Sequence, residues 1–80
     1  MTATTTNDPI AELKTHLQTR IRGIKDVTNE YGFVCVYTKS ARAAKNVTLD
    51  LLRSRGFSSV RATENFRDGG FVVNALPKAA

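Results

Sequence analysis

YGFVCVYTKSARAAKNVTLDLLRSRGFSSVRAT, residues 31–63, decides the fold. Tyr31–Thr38 is rich in aromatic and β-branched residues and apolar on both faces, the pattern of a central strand covered on both sides. Phe33, Cys35 and Tyr37 point one way along it, and Val34 and Val36 the other. Ser40 then supplies an N-cap. On the helix that follows, Ala44, Val47, Leu51 and Leu52 make the buried arc. Arg42, Lys45, Asn46 and Arg53 take the opposite side, with Leu49 exposed among them. Gly56 reads as the residue that stops this helix, with Phe57 as the apolar contact that accompanies such a stop. Phe57–Thr63 is a second strand, with Val60 and Ala62 inward and Ser59, Arg61 and Thr63 outward.

Upstream, residues 1–8 read as a polar, disordered leader whose Asp8 caps a helix starting at Pro9. Ile10, Leu13, Leu17, Ile21 and Ile24 fall on one helical stripe, which predicts a helix from Pro9 to about Lys25. Asp26–Glu30, with Thr28-Asn29, reads as a connector. Downstream, Asp68-Gly69-Gly70 marks a hairpin turn, Phe71–Leu76 a third strand ended by Pro77, and residues 78–80 a tail. No internal repeat is visible in the residues.

The expected architecture is therefore α+β, one domain over residues 9–77, in the order α-β-α-β-β. A right-handed βαβ crossover plus a C-terminal hairpin gives a three-stranded mixed sheet packed by two helices. Both helices carry one apolar stripe, so both need the sheet. Placing them side by side leaves the other face open, with Phe33, Cys35 and Tyr37 beside Ser59, Arg61 and Thr63; placing them on opposite faces would instead cover Phe33 and Tyr37. The register of the third strand stays undecided between Phe71/Val73/Ala75 and Val72/Asn74/Leu76 as the outward set.

Eighty residues make one small domain, which buries only about 60% of its unfolded surface and gains from a partner or from dimerisation. The chain carries a net charge of +5 and a pI near 9.9, which suits an anionic partner. Five basic residues and one acid between Lys39 and Arg55 place +4 of that charge in one segment. The single cysteine, Cys35, rules out an internal disulfide and a thiolate metal cluster and fits a reducing compartment. With no basic-then-apolar leader and no long apolar run, the expected location is the cytoplasm, without membrane insertion.

Catalytic chemistry finds no constellation. His16 is the only histidine and lies on the polar side of the first helix, without a cysteine or acid at a productive spacing. Cys35, mid-strand, should behave as a small buried hydrophobe. Asn46-Val47-Thr48 matches a glycosylation sequon, but a helix in a chain without an export signal is no place for one. No cofactor or metal is expected, and the chain reads as a non-enzymatic binding module.

Three surfaces are candidates. An open sheet face with aromatics beside an arginine suits single-stranded nucleic acid, whose bases stack on rings while cations meet phosphates. The start of the second helix, Thr38–Arg42, offers free N–H groups to an anion, although the glycine run of a P-loop is absent. The hairpin tip around Phe66 and Arg67 presents an aromatic and an arginine as partner anchors. The segment FVCVYTKSARAAKNVTLDLLRSRGF, followed by two strands, resembles one half of a SPOR-type peptidoglycan-binding fold. That resemblance is one of layout over Phe33–Leu76 and implies a sheet packed by a helix.

Three functions follow. The first is nucleic-acid binding through Lys39, Arg42, Lys45 and Arg53 on the helix, with Arg61, Phe33 and Tyr37 on the sheet. The second is a protein-binding accessory domain, a regulator or inhibitor of a host enzyme of the small phage type, using Leu49, Phe66 and Arg67. The third is a homodimeric structural module that pairs two open sheet faces.

Overall fold

The computed structural model describes residues 9–54, 56–65, 67 and 69–78. The expected leader, its Asp8 cap, Arg55, Phe66, Asp68 and the last two residues lie outside them. The elements are α1 (Pro9–Arg20), β1 (Ile24–Glu30), β2 (Phe33–Thr38), α2 (Ala41–Ser54), β3 (Phe57–Glu64) and β4 (Phe71–Pro77). They form a small α+β domain with two helices against a four-stranded sheet of order β1-β2-β4-β3. Every neighbouring pair is antiparallel.

The expected sheet had three strands and a mixed sense, so one strand was missed. The first helix stops at Arg20, not Lys25, and Gly23 follows with φ +92°, a left-handed conformation that continues no helix. The supposed connector is β1, hydrogen-bonded to β2. A register shift between Ile24 and Asp26 explains the misreading. A bulge adds a residue to one strand, so Ile24 and Val27, three apart, both pack on the core. Three apart is also helical spacing, and Ile24 therefore reads as the end of the α1 stripe.

The β-α-β crossover expected from residues 31–63 is present as β2-α2-β3, with the two strands parallel in sense. They are not neighbours: β4 lies between them, a split βαβ unit. The chain is thereby two α-β-β halves. Each half's hairpin puts its first strand at an edge and its second strand in the centre. The repeat is topological and leaves no trace in the residue types.

Both helices pack on one face, as the single stripes require. Leu17, Val36, Val47, Val73 and Ala75 are fully buried there, with Leu51, Ala44 and Ala43 nearly so. In α2 the inward set is Ala43, Ala44, Val47 and Leu51. Leu52, expected inside, is 54% exposed. Ser40 caps α2 through its Oγ, which accepts the Ala43 N–H at 3.2 Å. The expected Gly56 stop is not left-handed. Instead the Ser54 hydroxyl donates to Leu51 O at 2.7 Å and accepts the Gly56 N–H at 3.3 Å. The helices meet through Asp50, whose carboxylate lies 3.3 Å from His16 Nε2 and 3.5 Å from Arg20 Nε. At this exposure such pairs contribute little, on the order of 0–1 kcal/mol.

The two central strands are closed at one end by Thr38, a fully buried polar residue. Its hydroxyl lies 3.0 Å from Phe71 O on β4 and 3.3 Å from Ser40 O. Gly70, with φ +80°, enters β4 so close to this residue that a Cβ would lie 2.1 Å from Thr38 O. A Cβ on Gly69, with φ +79°, would meet open space. Gly69→Ala should thus cost only backbone strain, about 1 kcal/mol. Gly70→Ala should cost about 3 kcal/mol or more, because backbone must move. Urea denaturation of the two variants measures the difference, and equal midpoints would show that the close approach constrains nothing.

Candidate functional site

The face away from the helices is built by side-chain alternation. Residues paired directly across strands share a face, so the register fixes its rows. Thr28, Cys35, Asn74 and Arg61 form the middle row across β1, β2, β4 and β3. Asp26, Tyr37, Val72 and Thr63 form the row on one side. Phe33, opposite Glu30, and Leu76, opposite Ser59, stand on the other. The open register of the last strand resolves with Val73 and Ala75 in the core and Val72, Asn74 and Leu76 on this face. β2 is a central strand, as expected, but the helices cover it on the Val34/Val36 face alone.

Two adjoining hollows of about 620 and 750 Å³ run along this face and share Tyr37 and Val72. The first holds Tyr31, Phe33, Cys35, Asn74 and Arg61. The second holds Lys25, Asn65 and Arg67, brought in by the start of β1 and the β3–β4 loop. Tyr31 and Gly32 are the two-residue turn of the β1–β2 hairpin, with φ +54° and +83°. Both values being positive matches a type I′ turn, which is normally Asn-Gly or Gly-Gly. A tyrosine there is uncommon, and this one is 99% exposed. Phe33 and Leu76 beside it are also exposed, at 40% and 38%.

Hydrogen bonds hold the floor. Tyr37 donates its phenol to Glu30, and Thr28 donates to the same carboxylate oxygen at 2.7 Å. The Cys35 thiol donates to Asn74 Oδ1 at 3.2 Å. Burial pushes the Cys35 thiol up from its ordinary value, so it remains a neutral donor. Asp26 is drawn below its ordinary value, first by the hydrogen bond from Lys14 and then by the Val27 N–H; Lys14 Nζ is 3.1 Å away. Arg61 makes no ion pair or side-chain hydrogen bond among the described residues.

The expected nucleic-acid set is divided by the fold. Phe33, Tyr37 and Arg61 share the open face, and Arg67, expected as a protein-partner anchor, joins them. Arg42, Lys45 and Arg53 are exposed on α2 in the opposite layer. Lys39 is exposed at the β2–α2 corner. Leu49 is exposed on α2, as expected, at 43%. Phe66 lies outside the described residues. Tyr31 and Asn74 were missed by sequence reasoning. Asn74 left a signal, since it interrupts the apolar run of β4 with a residue that strands disfavour.

Among the described residues, no cluster of His, Cys, Asp and Glu could hold a metal ion, and no helix is long and apolar enough to cross a membrane. Comparison with protein-family models, curated proteins and solved structures returned no match.

The Tyr37–Glu30 pair yields a pH prediction with a definite sign. Its hydrogen bond to Tyr37, and then that to Thr28, hold Glu30 below its ordinary value near 4.5; the same bond raises Tyr37 above 10.0. The depressed carboxylate contributes stability above its ordinary value and loses it as pH falls through the lowered one. The raised phenol contributes below its ordinary value and loses it as pH rises through the raised one. In Tyr31→Phe protein, phenolate absorbance should therefore appear only above the usual tyrosine range. Adding Glu30→Ala should bring the midpoint down; an unchanged midpoint would dismiss the pair as the cause.

Proposed function

We propose that this domain binds single-stranded nucleic acid on the open face of its sheet. One observation carries the reading: Tyr31, Phe33 and Tyr37 lie along one hairpin, uncovered by either helix, beside the Arg61 guanidinium, which makes no ion pair among the described residues. Splayed bases stack on such rings, and cations at the rim meet the phosphates. Phe33 and Tyr37 are four strand residues apart, roughly 13 Å, room for consecutive stacked bases. Arg61 and Arg67 border the two hollows at different points, and Lys25 adds a third cation. The basic residues of α2 face away from this surface and are not needed for it.

The test is fluorescence anisotropy with labelled single-stranded RNA and DNA at several salt concentrations. With two or three phosphates neutralised, the log–log salt slope should be about −1.4 to −2. Phe33→Ala and Tyr37→Ala should each weaken binding by about 1–3 kcal/mol. The triple charge reversal of Arg42, Lys45 and Arg53 to Glu should leave stacking on the sheet intact. Loss of binding only in that triple variant would move the site to α2, and no binding at low salt by the unaltered protein would end the proposal.

A protein partner is the second reading, and it has its own observation. Leu49 and Leu52, three residues apart, are both exposed on α2 next to Arg53. A regulator or inhibitor could dock there without touching the sheet. The homodimer reading would instead bury Tyr31, Phe33 and Leu76 between two copies. Sedimentation at rising protein concentration separates these readings, since only the latter predicts a doubling of mass that competes with nucleic acid.

A further inference from the structure

The middle row of the open face, Cys35–Asn74–Arg61, is polar, and it lies between an apolar row at Phe33/Leu76 and another at Tyr37/Val72. Bases stacked on those rings would turn their edges toward this row. What the row can read depends on which hydrogen-bonding groups remain free. Asn74 is half-buried, and its Oδ1 accepts the Cys35 thiol at 3.2 Å. A neutral thiol can give that proton, whereas a thiolate could not. The amide nitrogen of Asn74 has no partner among the described residues, so its two N–H groups remain available. Arg61, directly opposite Asn74 on β3, offers donors only. Glu30, in the neighbouring row, accepts Thr28 and Tyr37 on Oε2. Ser59 and Thr63 hydroxyls can act either way and discriminate nothing.

We infer that Asn74, oriented by Cys35 and flanked by Arg61, makes this face select keto bases over amino bases, uracil over cytosine among the pyrimidines. This deepens the nucleic-acid reading and rests on it. Uracil carries a carbonyl acceptor where cytosine carries an amino donor, and the Asn74 amide N–H groups and the Arg61 guanidinium at the centre of the row are donors. The usual bidentate pairing of asparagine with adenine needs its oxygen as well as its nitrogen, and Cys35 competes for that oxygen. Asn74 contacts the base edge. Cys35 is a positioning residue, since it acts through the amide.

The experiment compares uridine-only with cytidine-only single strands of equal length by anisotropy at low salt, using the full chain. The unaltered protein should bind the uridine strand about fivefold or more tightly. Asn74→Ala should keep residual binding and remove the preference. Asn74→Asp, which replaces donors by an acceptor, should shift the ratio toward cytidine. Cys35→Ala should narrow the ratio between the two strands, an effect that loss of packing alone would not produce. Circular dichroism of each variant establishes that it is folded. Equal affinity for the two strands, or a cytidine preference, overturns this inference and leaves the nucleic-acid reading standing. Failure to bind either strand overturns both.

Discussion

The insertion of β4 between β2 and β3 is the constraint on which the rest depends. The β2-α2-β3 crossover leaves its parallel strands one strand apart, and the C-terminal strand fills that space. It hydrogen-bonds on both sides, so the Val34, Val36, Val73 and Ala75 side chains are buried together under the helices. The insertion needs a backbone that can pass the end of β2 without a side chain in the way. Gly70 provides that passage, and the Thr38 hydroxyl ties the two strand ends once they meet. With the central pair in place, each half of the chain adds only an outer strand and a helix.

From the same constraint follows the separation of surfaces. Two helices, each with one buried stripe, both pack on the Val34/Val36 face. The other face is left with whatever alternation puts there: aromatic residues at β2 and its turn, Asn74 and Val72 on β4, and Arg61 on the edge. The α2 cations are a layer away. A positive charge counted along the sequence is therefore not one patch but two. The smaller set, Arg61 and Arg67 with Lys25, is the one that shares a surface with the rings.

Local patterns made some of this legible and hid other parts. Ser40 was readable as a cap, because an N-cap is decided by the residue itself and the backbone just after it. The open face was one of two readings, because two helices with one apolar stripe each can share a face or take one face each. β1 was not readable, because an edge strand buries only Ile24 and Val27, and its bulge sets them at helical spacing. Leu52 and Ala43 exchanged places in the buried arc, since the exact rotation of a helix is set by the sheet beneath it. Asn74 could be seen as unusual in a strand, but its partner Cys35 lies 39 residues away, and only folding brings the two together.

By itself the sequence determined the strand–helix–strand order within residues 31–63 and a single small domain, because periodicity, caps and apolar stripes act over a few residues at a time; whether the aromatic face stayed uncovered was left to the packing of the helices. Tertiary structure alone decided the fourth strand, the β1-β2-β4-β3 order, the inward set of β4 and the union of Cys35, Asn74 and Arg61 in one row. Those depend on which strands pair and in what register, and hydrogen-bond partners distant in sequence are chosen only when the whole core closes.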